Sequence, residues 1–83
     1  MIEPVERAML DLLERFRGRL PNEDYSGVRD LVDHREWGIG LENLCSQLFE
    51  HSIPVSDSEL AAICELASEM DLPDGTWNFL VED

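Results

Sequence analysis

The side chains in this sequence that could bind metal or act as nucleophiles are His34, His51, Cys45 and Cys64, and no CxxC or HxxxH spacing joins any two of them. Both cysteines fall on apolar stripes of helical patterns, where a thiol serves as a small hydrophobe, so no disulfide is expected. Acids are numerous enough that pairs such as Asp30 and Asp33 arise by chance. A solvated face, and not general acid–base catalysis, is the default for them. The sequence therefore predicts no enzyme, no cofactor and no bound metal.

One short motif resembles a carrier serine. Asp57-Ser58 opens a helical pattern, as in acyl carrier proteins, which are also acidic and helical. Glu59 stands where that family has leucine, however, and the serine lies well past mid-chain, so this reading is set aside.

What the sequence has in excess is negative charge. It holds 19 acids against six basic residues, for a net charge of -13 over 83 residues, and every base is an arginine. Such a field repels nucleic acid and anionic membranes and attracts basic proteins. The expected partner is thus a protein, with no nucleic acid and no membrane. The excess is also unevenly placed. Residues 1 to 35 carry eight acids and all six arginines, whereas residues 36 to 83 carry eleven acids and neither lysine nor arginine.

The elements that must position these charges are helical. Val5, Met9, Leu12, Leu13, Phe16 and Leu20 recur at spacings of three and four, with Pro4 suited to a first turn and Gly18 and Pro21 marking the end. Asn22 is expected to cap a second helix through Tyr25, Val28, Leu31 and Val32, and Asp33-His34-Arg35 reads as a corner. A third helix carries Trp37, Leu41, Leu44, Cys45 and Leu48 on one stripe. Gly38 and Gly40 within it point to close packing against the first or second helix, or else to close approach of a partner. Ile53-Pro54-Val55 is an extended break, because the residue before proline is pushed out of helical conformation. Ser56 and Glu59 then form a capping-box pattern before a fourth helix with Leu60, Ile63, Cys64, Ala67 and Met70 on its core face. Leu72-Pro73-Asp74-Gly75 is turn chemistry, and Thr76 is expected to cap a last short helix presenting Trp77, Leu80 and Val81. The fold class is all-α, a small bundle of four to five helices in one domain, residues 1–83. The opening residues carry no signal-peptide pattern and no apolar run reaches the ~20 residues that span a bilayer, which predicts a cytoplasmic protein.

On a wheel of about 100° per residue, the third helix turns Glu36, Glu42 and Glu50 away from the core, with Ile39 among them. The fourth does the same with Glu65 and Glu69. A charged face is usually just solvated, but ordinary surfaces interleave both signs, and this one does not. An apolar residue inside an unrelieved acidic surface suits an interface with a basic protein.

The order of residues from Leu31 to Leu48, with Asp33 and Glu36-Trp37-Gly38 at the corner and Leu44-Cys45-Ser46-Gln47-Leu48 closing the helix, followed by Ile53-Pro54-Val55-Ser56 and by Trp77 after a turn, resembles the small helical immunity proteins of bacterial polymorphic toxin systems. The MafI family and related immunity proteins of contact-dependent growth inhibition are the nearest pattern. The resemblance covers roughly residues 25 to 80. Trp37 stands where tyrosine is more usual, and Gly40 where alanine is common. The resemblance implies a protein that binds a cognate toxin domain one to one and neutralises it, the toxin being commonly a nuclease acting on RNA; the alternative is a generic helical adaptor or regulatory protein-binding domain. A ribonuclease must offer Lys and Arg to phosphates, which an acidic helical face can cover. The residues expected to make contact, from the wheel, are Asp30, Asp33, Glu36, Ile39, Glu42 and Glu50. Trp37 and Trp77, each opening an apolar stripe, are assigned to the core.

Overall fold

Four α-helices carry the chain: α1 (Pro4–Arg15), α2 (Asn22–Asp33), α3 (Trp37–Glu50) and α4 (Asp57–Glu69), followed by two single 3-10 turns at Asp74–Thr76 and Asn78–Leu80. This is a computed structural model, and it describes residues 3–81. The all-α class read from periodicity is what the chain adopts. No strand occurs among the described residues.

Each helix buries the stripe its sequence provides. Met9, Leu12, Leu13, Phe16 and Leu20 from the first segment meet Val28 and Val32 of α2, Leu41, Leu44, Cys45 and Leu48 of α3, and Ile63, Leu66 and Ala67 of α4 in one core. Fully burying an aliphatic or aromatic side chain contributes about 1.5–3 kcal/mol, so this cluster is the main source of stability. α2 packs chiefly on α3, α1 touches α2, α3 and α4, and the two terminal turns rest on α3 and α4. Gly40 allows that close approach. A Cβ there would meet Leu31, Met9 and Val32 at 3.6, 3.6 and 3.7 Å, so α3 lies against both α1 and α2 with room for little more than a methyl group. Gly38 instead faces Leu72, whose Cδ2 lies 3.6 Å from the Cβ position, beyond the end of α4. Both tryptophans are half-buried against the core, and the Trp37 indole N–H donates to the Val32 carbonyl at 3.2 Å.

Three expectations are corrected. Asn22 is the first helical residue and not the cap; Pro21 precedes it, and the Pro21 carbonyl accepts the Asp24 and Tyr25 N–H groups at 3.0 Å each. Proline's restricted φ, here -55°, starts the helix without a side-chain cap. The core face of α4 is centred on Ile63, Leu66 and Ala67, while Leu60, Cys64 and Met70 lie half-buried at its flanks. Last, Thr76 caps no helix. It is buried inside the first 3-10 turn, and Trp77, with φ -136°, interrupts the segment before Asn78–Leu80. A run this short cannot repay helix nucleation, and its conformation is set by packing.

Three helices end alike. Arg35, Ser52 and Asp71 take left-handed φ of 61°, 53° and 56°. The following N–H groups of Glu36, Ile53 and Leu72 donate back to Leu31, Leu48 and Ala67 at 2.8, 2.9 and 2.8 Å. These are Schellman closures built without glycine, which satisfy the last carbonyls at some conformational cost.

Candidate protein-binding face

The charged residues separate into those held by a partner and those left free. Four arginines are engaged. Arg17 pairs with Glu14 at 3.2 Å and Arg29 with Asp33 at 3.2 Å, both within one stretch of chain. Arg19 reaches Glu59 at 2.9 Å and Arg15 reaches the same carboxylate at 3.9 Å, both from the α1 end to the start of α4. Glu59 is 5% exposed, and it completes the capping box, accepting from the Ser56 N–H at 2.9 Å while its own N–H donates to the Ser56 hydroxyl at 3.2 Å. The Arg19 guanidinium also donates to the Pro54 carbonyl and stacks over the Phe16 ring at 4.6 Å. Hydrogen bonding from Arg19 holds the Glu59 carboxyl below its ordinary value. It is a structural acid.

Every other acid of residues 36–81 stands without a basic partner among the described residues: Glu36, Glu42, Glu50, Asp57, Glu65, Glu69, Asp71 and Asp74. On α3, Glu42 and Glu50 are exposed and Ile39 is 55% exposed, so the wheel's outward face is where the structure places it. Glu36 is exposed at the helix start, where its carbonyl accepts the Gly40 N–H at 2.8 Å and its side chain caps nothing. Asp30 and Asp33 are exposed at the end of α2, at the same corner. They differ from the α3 acids: Asp33 is partly neutralised by Arg29, and His34 donates from Nδ1 to the Asp30 carbonyl at 2.7 Å, which raises the imidazole pKa.

Phe49 belongs to neither the core stripe nor the acidic face that helical spacing marks on α3. It lies on the outer side of α3, seven residues after Glu42, and is 60% exposed. Its ring meets that of Phe79 edge to face at 5.3 Å, and Phe79 and Val81 are themselves 37% and 45% exposed. A local signal existed: Phe49 is a large apolar residue off the core stripe. That Phe79 joins it could not be read locally, because the two are thirty positions apart. Together they border an open groove of about 550 Å³ between the end of α3, the start of α4 and the last turn. The acidic stripe of α3 thus runs into an exposed aromatic pair.

The remaining reactive groups are quiet. Burial pushes the Cys45 thiol up to about 12 and raises that of Cys64, so neither is an activated nucleophile, and both are free thiols. Ser58 is engaged, its Oγ accepting from Arg15 at 3.4 Å and lying 3.2 Å from the Ser56 hydroxyl. Among the described residues no three of His, Cys, Asp and Glu converge as metal ligands would, and no helix is long and apolar enough to cross a membrane.

No family model, curated protein or solved structure matches the chain. The likeness to immunity proteins rests on the residues quoted above.

Proposed function

We propose that the chain is an immunity protein that binds a cognate bacterial toxin domain one to one and neutralises it, the toxin being basic and of the nuclease class that handles RNA. One observation carries this reading: Glu36 at the start of α3 and Glu42 and Glu50 along it are exposed, and without a basic partner among the described residues, around the exposed Ile39. Spaced about 9 and 12 Å apart along the helix, these acids repel one another only weakly, and with no base beside them they are left to pair with a partner bearing Lys and Arg. The same charge steers a basic partner inward and gives fast, salt-sensitive association. Asp30 extends the face around the corner, and Asp33 joins it at the cost of weakening its pair with Arg29. A toxin that binds RNA must expose the basic surface this face complements. Inhibition then follows from occupation of that surface and requires no chemistry from the inhibitor.

The test is protection. Cells expressing the toxin encoded next to this gene should survive when the chain is co-expressed, and the two proteins should co-purify in equal amounts. Failure to protect, with both proteins present, would rule the reading out.

A further inference from the structure

We infer that the groove beside Phe49 receives an apolar side chain from a basic segment of the partner, a segment in which leucine, methionine or an aromatic residue is flanked by lysine or arginine. The inference rests on the binding-protein reading above and gives it a second point of attachment. Phe49, Val55, Leu60, Phe79 and Val81 line an open groove of about 550 Å³. That volume is within the range of about 300–1,000 Å³ in which proteins seat compact apolar ligands. Phe49, Phe79 and Val81 are all substantially exposed. Large apolar groups gathered on a surface mark a place where something docks.

Charge decides what docks. Asp57 lines the groove and Glu50 adjoins Phe49, and neither has a basic partner among the described residues. Arg19 donates to the carbonyl of Pro54, which lines the groove, and Arg15 reaches the adjoining Ser58, but both guanidinium groups are held against the Glu59 carboxylate. A second copy of this chain would bring another net charge of -13 to the rim, which opposes self-association. A positively charged segment meets no such opposition. The groove is also continuous with the acidic stripe. Phe49 follows Glu42 by seven residues, about two turns and 10 Å along the same side of α3, so one partner can cover both.

The test uses the intact chain, followed by NMR, with three short peptides: leucine–lysine with leucines at helical spacing, serine–lysine of equal charge, and leucine–glutamate. The leucine–lysine peptide should bind and shift the signals of Val55, Leu60 and Leu80. Phe49→Ser and Phe79→Ser should each weaken it about tenfold, as loss of a buried aromatic anchor does, and Asp57→Asn about threefold. Circular dichroism checks the fold of each variant. Should Phe79→Ser unfold, Phe49→Ser and Asp57→Asn still decide. Equal binding of either control peptide overturns the inference, as do the same shifts on concentrating the free chain, which would put a second copy in the groove. Toxin affinity unchanged by Phe49→Ser, with protection intact, removes the groove and leaves the inhibitor reading standing. No protection, with the leucine–lysine peptide bound as described, removes the inhibitor reading and leaves the groove.

Discussion

Residues 3–35 and residues 36–81 both expose acids on helical surfaces, and they differ in what stands beside those acids. In the first region Glu14 lies between Arg17 at 3.2 Å and the Tyr25 hydroxyl at 3.0 Å, and Asp33 is held by Arg29. The hydrogen bond from Tyr25, then that from Arg17, lowers the Glu14 pKa. In the second region Glu59 is the one acid so treated among those described, and its partners come from the first region. Arginines thus hold Glu14 and Asp33 in the first region, where Glu6, Asp11, Glu23 and Asp30 have no basic partner among the described residues, whereas in the second region only Glu59 of the described acids is held, and by arginines of the first. Net charge alone could not show this division. It follows from where the six arginines stop.

The comparison can be broken most severely at its exception. Glu59→Ala removes a cap and uncouples Arg19, and should destabilise by about 2–3 kcal/mol, or about 4–8 °C in Tm for each kcal/mol, in a thermal melt. The pH dependence has a definite sign. The Glu59 carboxyl is depressed from 4.5 in the folded protein, so its contribution is complete above that value and is lost as pH falls through the depressed one. Glu59→Gln should flatten this acid limb, and an unchanged acid limb would assign it to other carboxylates.

The free acids should behave in the opposite way. Glu36, Glu42 and Glu50 changed together to Gln should leave the melt unchanged or slightly higher while slowing association with the toxin about tenfold at low salt, less as salt rises. An unchanged on-rate would reduce the stripe to a solvated face and erase the comparison. The smallest effect concerns neither class of acid. Ser52→Gly at the α3 Schellman closure should stabilise by about 0.5–1 kcal/mol, since glycine takes the left-handed conformation without a Cβ penalty. A denaturant midpoint that fell instead would show that the Ser52 side chain contributes more than its backbone conformation costs.

Much of the scaffold was legible because its signals are local. The α1 stripe from Val5 to Leu13, the extended break at Ile53-Pro54-Val55 and the Ser56–Glu59 capping box each lie within a few turns of chain and form as their spacing implies. Phe16 and Leu20, on the same stripe by spacing, are instead buried beyond a helix that ends at Arg15. The outward placement of Ile39, Glu42 and Glu50 was legible for the same reason. Other features depend on residues distant in sequence or lack the usual residue type. Arg35, Ser52 and Asp71 close helices where glycine would have announced the closure. Thr76 and Trp77 carry cap and stripe chemistry, but packing on α3 and α4 sets their conformation. The Phe49–Phe79 contact and the Arg19–Glu59 pair join positions thirty and forty residues apart, a separation no local pattern encodes.

The Arg19–Glu59 pair also bears on the order in which the molecule assembles. The capping box at Ser56 is local and can form as soon as α4 does, but the bond to Arg19 joins positions forty residues apart and forms only when α4 docks on α1. Closing so long a loop costs entropy that is recovered only when α4 docks, so the pair belongs late in folding. As a prediction, Arg19→Met, which leaves the capping box in place, should speed unfolding and leave the folding rate nearly untouched, and a stopped-flow chevron whose folding limb dropped instead would place the pair in the nucleus. One guanidinium would then act as a latch on the finished bundle, governing how long it stays closed.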